Sequence, residues 1–254
     1  MAKEFKSFVT VEAFKEYITK LKVTRKINIV QLHHTYLPSY KQFNGSNHTS
    51  LQNGMRNYHM NTNGWSDIAQ QFTIFPDGVI MTGRDMNVAP AGIKGANSNG
   101  ICIECLGNFD KGGDVMTDAQ KNAIIGVVKV LLDRFGLNAE DNVTYHAWWS
   151  SDGREIGDYV KGKSAKTCPG TNFFGGNGLT AYTKNLMPLI QSYGAQPVEK
   201  VVLETGNDIV WELMNGRYQI EINEVKRAID ALDKAKNDTE FCSLYWIIYK
   251  LVNK

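Results

Sequence analysis

Three side chains in this chain have metal-ligating chemistry and stand at structurally rigid places: His33, His146 and Cys168. Each histidine closes an apolar run that reads as a strand. The cysteine opens Cys168-Pro169-Gly170, with Lys166 two positions before it. Two imidazoles and one thiolate are the ligands of a catalytic zinc that keeps a fourth position open for water. If they converge, the chemistry is metal-assisted hydrolysis. Glu104 stands between the apolar Ile103 and Cys105, a costly place for a carboxylate without partners.

The elements that must position these groups follow from periodicity. Lys26–His34 reads as a strand that runs into a loop, Ile101–Leu106 as a second, and Val143–His146 as a short third. Gln71–Phe75 and Val79–Thr82 flank Pro76-Asp77-Gly78, a hairpin pattern. Helices are predicted for Phe8–Leu21 with Thr10 as N-cap, Ser50–Asn61, Thr117–Gly136 and Leu179–Tyr193. Thr117 and Gln120 suggest a capping box, and Gly136 a stop. Strand alternation turns His34 away from the face of His33. It also sends Cys102 and Cys105 to opposite faces, so this pair reads as small buried packing residues rather than half a metal site. His48 and His59 fit no ligand pattern.

Size and charge bound the rest. With 254 residues, 43% of them apolar and 21% charged, the chain has the profile of a soluble globular protein. A net charge of +2 argues against nucleic acid as a partner. Phe241–Val252 is the longest strongly apolar stretch and is too short to span a bilayer, so no membrane partner is expected. The charged residues Lys3, Glu4, Lys6, Glu12, Lys15, Glu16 and Lys20 give the first twenty positions the look of an amphipathic surface helix, not of a secretory signal. A short break at Gly194-Ala195-Gln196-Pro197 separates 1–194 from a smaller unit, 198–254. Residues 197–254 carry ten Asp/Glu against eight Lys/Arg and read as three short helices.

Several separated motifs resemble the N-acetylmuramoyl-L-alanine amidase type 2 and peptidoglycan-recognition-protein family. They are Gly64-Trp65-Ser66-Asp67-Ile68, Phe72, Asp77-Gly78, Gly83-Arg84-Asp85, Asn97–Ile101 and Cys168-Pro169-Gly170, in the family's order, over about residues 25–190. The resemblance implies an α/β (mixed α+β) fold, a central mixed β-sheet flanked by helices, with a small C-terminal helical domain attached. It implies zinc held by His33, His146 and Cys168, Glu104 as general base and Lys166 as oxyanion stabiliser. The bond cut would join the lactyl group of N-acetylmuramic acid to L-alanine in peptidoglycan. The expected setting is a phage or prophage endolysin stored in the host cytoplasm until release and acting at the bacterial cell wall. A host autolysin, or a non-catalytic peptidoglycan-binding protein on the same fold, is the alternative. Residues 198–254 loosely resemble cell-wall-binding segments, and their aromatic residues suit wall attachment or a homodimer seam. Many members carry Gly-Tyr where this chain has Ala69-Gln70. Gln70 can donate a hydrogen bond but cannot act as acid or base, which shifts weight to Glu104. A histidine often found near Ala89-Pro90-Ala91 is also missing. Trp148, Trp149, Tyr159, Tyr36 and Tyr40 suit either the groove wall or buried packing.

Overall fold

β-Branched and aromatic residues alternating with polar ones build one mixed sheet. Its strands are β1 (Ser7–Phe8), β2 (Ile29–His34), β3 (Phe72–Ile74), β4 (Ile80–Thr82), β5 (Gly100–Cys105) and β6 (Val143–Tyr145), in the spatial order β1-β4-β3-β5-β2-β6. The four strands β3, β5, β2 and β6 run parallel to their neighbours, while β4 returns antiparallel beside β3 through the hairpin. Asp77 and Gly78 make that turn: Gly78 takes a φ of 85°, and Asp77 Oδ1 accepts from Val79 N. The computed structural model describes residues 4–194, and Met1–Tyr193 is one compact unit of the chain. The expectations for 198–254 lie outside the described residues.

One sheet face is apolar. Val30, Leu32, Phe72, Ile74, Ile101 and Ile103 are buried there. Helix α1 (Val11–Lys20) and helix α3 (Asp118–Phe135), with α2 (His48–Asn61) between them in the sequence, both supply buried apolar residues to the same core. Phe14 of α1 meets Phe72 edge-on at 4.9 Å. Burying Phe14 or Ile18 completely contributes about 1.5–3 kcal/mol each. α1 begins at Val11, later than the predicted Phe8, because Thr10 Oγ1 caps Ala13 N and Phe8 pairs with Ile80 as an edge strand.

The ends of α3 follow the predicted signals with one difference. Thr117 Oγ1 accepts from Gln120 N, and Gly136 closes the helix at a φ of 64°. Gln120, however, does not return to the N-cap. Its buried amide donates to Ile74 O at 2.8 Å and Leu106 O at 2.9 Å, joining the helix to two segments of the sheet layer. The Ile74 carbonyl, which also accepts from Leu106 N, and the Leu106 carbonyl hold the buried amide, and Tyr40 Oη accepts from Thr117 N instead. The last predicted helix splits into Leu179–Ala181, a π turn over Tyr182–Leu186 and Met187–Ser192. Pro188 explains the break, since its ring removes a donor and crowds the preceding turn.

Candidate metal centre

The other sheet face is polar, and register decides which of its groups meet. On β2 and β5, Gln31 pairs with Cys102 and His33 with Glu104; Thr73 of β3 flanks Glu104 on its other side. Alternation puts this whole row on one face. His33 is buried at its centre. His34 turns away as expected: its Nδ1 accepts from Phe109 N at 3.0 Å. Cys102 comes within reach of His33 and Glu104, while Cys105 joins the core.

His146 and Cys168 arrive from elsewhere. His146 opens a 3-10 turn (His146–Trp148) directly after β6. Tyr145 before it is fully buried against Trp148, Phe173 and Tyr182, which anchors the strand end. Cys168 is held by its own backbone, whose carbonyl accepts from Ala147 N at 2.7 Å. Gly170 follows at a φ of 120°, with Phe109 so close that a Cβ would fall 2.4 Å from its carbonyl oxygen. The Phe109 loop therefore clamps both the His34 imidazole and the Cys-Pro-Gly turn.

The result is a convergence of one ligand atom each from His33, His146 and Cys168, all within 4.8 Å of one another. His33 Nδ1 lies 3.4 Å from Cys168 Sγ, and the two imidazole rings are 5.0 Å apart. Zinc–nitrogen and zinc–sulfur bonds of ~2.1 and ~2.3 Å in tetrahedral geometry need about 3.6 Å between such atoms. Burial holds the His33 imidazolium far below its usual range, with the charges of His146 and Lys166 adding to it. Burial, with Lys166, brings His146 down to about 4. Both rings are thus neutral donors at pH 7. The Cys168 thiol is pushed up by burial and by Glu104, while the His34 N–H at 3.4 Å and Lys166 oppose this. A divalent cation would supply the missing positive charge.

Glu104 completes the set. Its Oε1 lies 4.0 Å from His33 Nδ1, and its buried Oε2 has no hydrogen-bond partner among the described residues. Burial raises its carboxyl to about 8, against the pull of Lys166. An orphaned carboxyl oxygen beside three converging soft and borderline donors fits a zinc site that keeps room for water. Lys166 stands exposed at the rim, its charge felt by His33, His146, Glu104 and Cys168. All five groups line one cleft of about 1250 Å³.

Three details differ from expectation or escaped it. Gln70 is buried, and its amide nitrogen donates to Thr73 Oγ1 at 2.9 Å, so the end left without a partner is the acceptor Oε1 and not a donor. Trp148 and Trp149 are buried, their indole N–H groups donating to Asn177 O and Thr144 Oγ1; only Tyr36 among the flanking aromatics stands exposed at the cleft. Gln31, two residues before His33, is fully buried against it. Its position on the same strand face was the available signal. The family motifs prove to be braces: Arg84 donates to the carbonyls of Ile68, Asp67 and Ala89, and Asn97 Oδ1 accepts from Gly92 N and Ile93 N.

Known proteins share sequence with this region of the chain. A family profile described as N-acetylmuramoyl-L-alanine amidase matches residues 23–171. Peptidoglycan-recognition protein SC2 of Drosophila melanogaster is 30% identical over 156 residues, which are 61% of this chain and 75% of that protein. The endolysin of Enterobacteria phage K11 is 32% identical over 71 residues, 27% of this chain and 47% of that one. Among solved structures, wild-type Drosophila PGRP-LB aligns with a TM-score of 0.47 and 19% identity, over 68% of this chain and 85% of that chain.

Proposed function

The chain belongs to the N-acetylmuramoyl-L-alanine amidase family, and from that premise we propose that it is a zinc-dependent amidase of bacterial peptidoglycan. The bond cut is the amide between the lactyl group of N-acetylmuramic acid and L-alanine. One observation carries the reading: His33, His146 and Cys168 converge beside a buried Glu104 whose Oε2 lacks a partner.

His33, His146 and Cys168 would hold the ion, and zinc bound there would supply Lewis-acid polarisation of the substrate carbonyl and a water acidified to a pKa of ~7. The protein's own groups do the rest. The charge of a bound cation would lower the Glu104 carboxyl from its metal-free value of about 8; ionised, it takes the proton of the attacking water and delivers it to the departing nitrogen, so the C–N bond breaks to a carboxylate and a free amine. The Lys166 ammonium faces the negative charge that grows on the carbonyl oxygen. Gln70, with no titratable proton, leaves acid–base work to Glu104.

The setting we propose is that of a phage or prophage endolysin, which the matching segment of the K11 endolysin supports. It would be held in the host cytoplasm and act at the wall after release, with 198–254 serving attachment or self-association. The test is elemental analysis together with product analysis of digested walls. The expected result is about one zinc per chain and new L-alanine amino termini, both lost in Cys168→Ala. Wall binding without new amino termini would instead identify a non-catalytic recognition protein.

A further inference from the structure

We propose that Gln31 is a positioning residue for His33, setting which imidazole nitrogen is free to bind metal. The assignment follows from forced hydrogen-bond directions. Gln31 is fully buried and does not line the cleft, so it acts only through its neighbours. One end of its amide lies 2.9 Å from Ala96 O. A carbonyl only accepts, so that end is the NH2 group. The other end, Oε1, must therefore face His33 Nε2, at 3.4 Å. An amide oxygen only accepts, so His33 carries its proton on Nε2. Its lone pair is left on Nδ1, the nitrogen 3.4 Å from Cys168 Sγ.

The surroundings hold the amide in that orientation. A Cβ at Gly92 would fall 2.3 Å from Gln31 Oε1 and 3.1 Å from His33 Nε2; one at Gly100 would fall 2.4 Å from Gln31 Nε2. Two glycines thus let the backbone close on both ends of the side chain. Gly92 is itself fixed, its N–H donating to Asn97 Oδ1 at 3.0 Å. A brace runs from Asn97 through Gly92 and Gln31 to the His33 ring. Outer partners of this kind, which fix tautomer and ring orientation, typically change metal affinity 10–100-fold when removed.

This inference rests on the zinc reading for its consequence, but the tautomer can be measured without metal. Nitrogen-15 NMR of the histidine rings in the chelator-treated full chain should show His33 protonated on Nε2. In Gln31→Met, which keeps the volume and removes the acceptor, the ring should populate both tautomers. Zinc affinity, read by competition with a chromophoric chelator, should fall about 10- to 100-fold. Gly92→Ala, which displaces Oε1 from the opposite side, should move both readouts in the same direction and serves if the methionine variant does not fold. An Nε2 proton that persists in both variants, with zinc affinity unchanged, overturns the proposal. Wild-type protein that binds no zinc would instead overturn the metal reading and leave the tautomer test standing.

Discussion

Replacing Glu104 by glutamine keeps the shape of a buried carboxyl and removes its charge, which moves two separate quantities. The first is the stability of the metal-free protein. Burial raises this carboxyl from the ordinary 4.5 to about 8, with Lys166 opposing. At 1.36 kcal/mol per pH unit, a displacement of that size sets a ceiling of about 5 kcal/mol. Water reaching a side chain that is 17% exposed lowers the figure to a few kcal/mol. The sign follows from proton counting. Below pH 4.5 both folded and unfolded chains hold the proton, and nothing is lost. Between 4.5 and about 8 the unfolded chain releases it first, so stability falls as pH rises. Above about 8 the loss is complete. Chelator-treated wild type should therefore lose stability from pH 5 to 8 in urea unfolding, and Glu104→Gln should be the more stable protein at pH 8. Parallel pH profiles for the two proteins would refute the burial argument. The second quantity is turnover: the zinc-loaded variant should retain its metal and lose about 10²–10⁴ in rate. Full activity would remove Glu104 from the mechanism.

Three further outcomes follow from the same geometry. Lys166→Met should lower kcat about 10- to 100-fold with metal content unchanged, less than a buried oxyanion donor because the ammonium is exposed; steady-state kinetics on wall fragments checks it. Arg84→Met strands the carbonyls of Ile68, Asp67 and Ala89, costing about 3 kcal/mol or roughly 6–12 °C in Tm, which calorimetry reads. The chain ending at residue 195 should keep the thermal transition of the catalytic part and sediment less with purified walls; unchanged sedimentation would retire the attachment role for 198–254.

Much of the site was legible because its signals are local. Alternation along Ile29–His34 separates His33 from His34 whatever the strand pairs with, and the two rings do part company. The Pro76-Asp77-Gly78 turn and the Thr117 and Gly136 helix ends are likewise written in a few adjacent residues. What local signals misplaced or left open has one cause. Gln120 reads as a cap partner by spacing, yet Ile74 and Leu106, far away in sequence, claim its amide. Gln70 reads as a donor until Thr73 takes its N–H. Trp148 and Trp149 are ambiguous until Asn177 and Thr144 claim their indoles.

Residue types and a two-residue period by themselves determined which side chains were capable of ligation and which way each faced from its own strand. Only the tertiary structure decided their company: that β5 lies beside β2 in the register that seats Glu104 next to His33, and that Cys168 closes on His33 across 135 positions. The physical reason is range. Side-chain direction is a property of one backbone segment, whereas strand order and loop closure are won by the burial of the whole core, and the hydrogen-bond direction of a buried amide is settled last, by whatever that core brings against it.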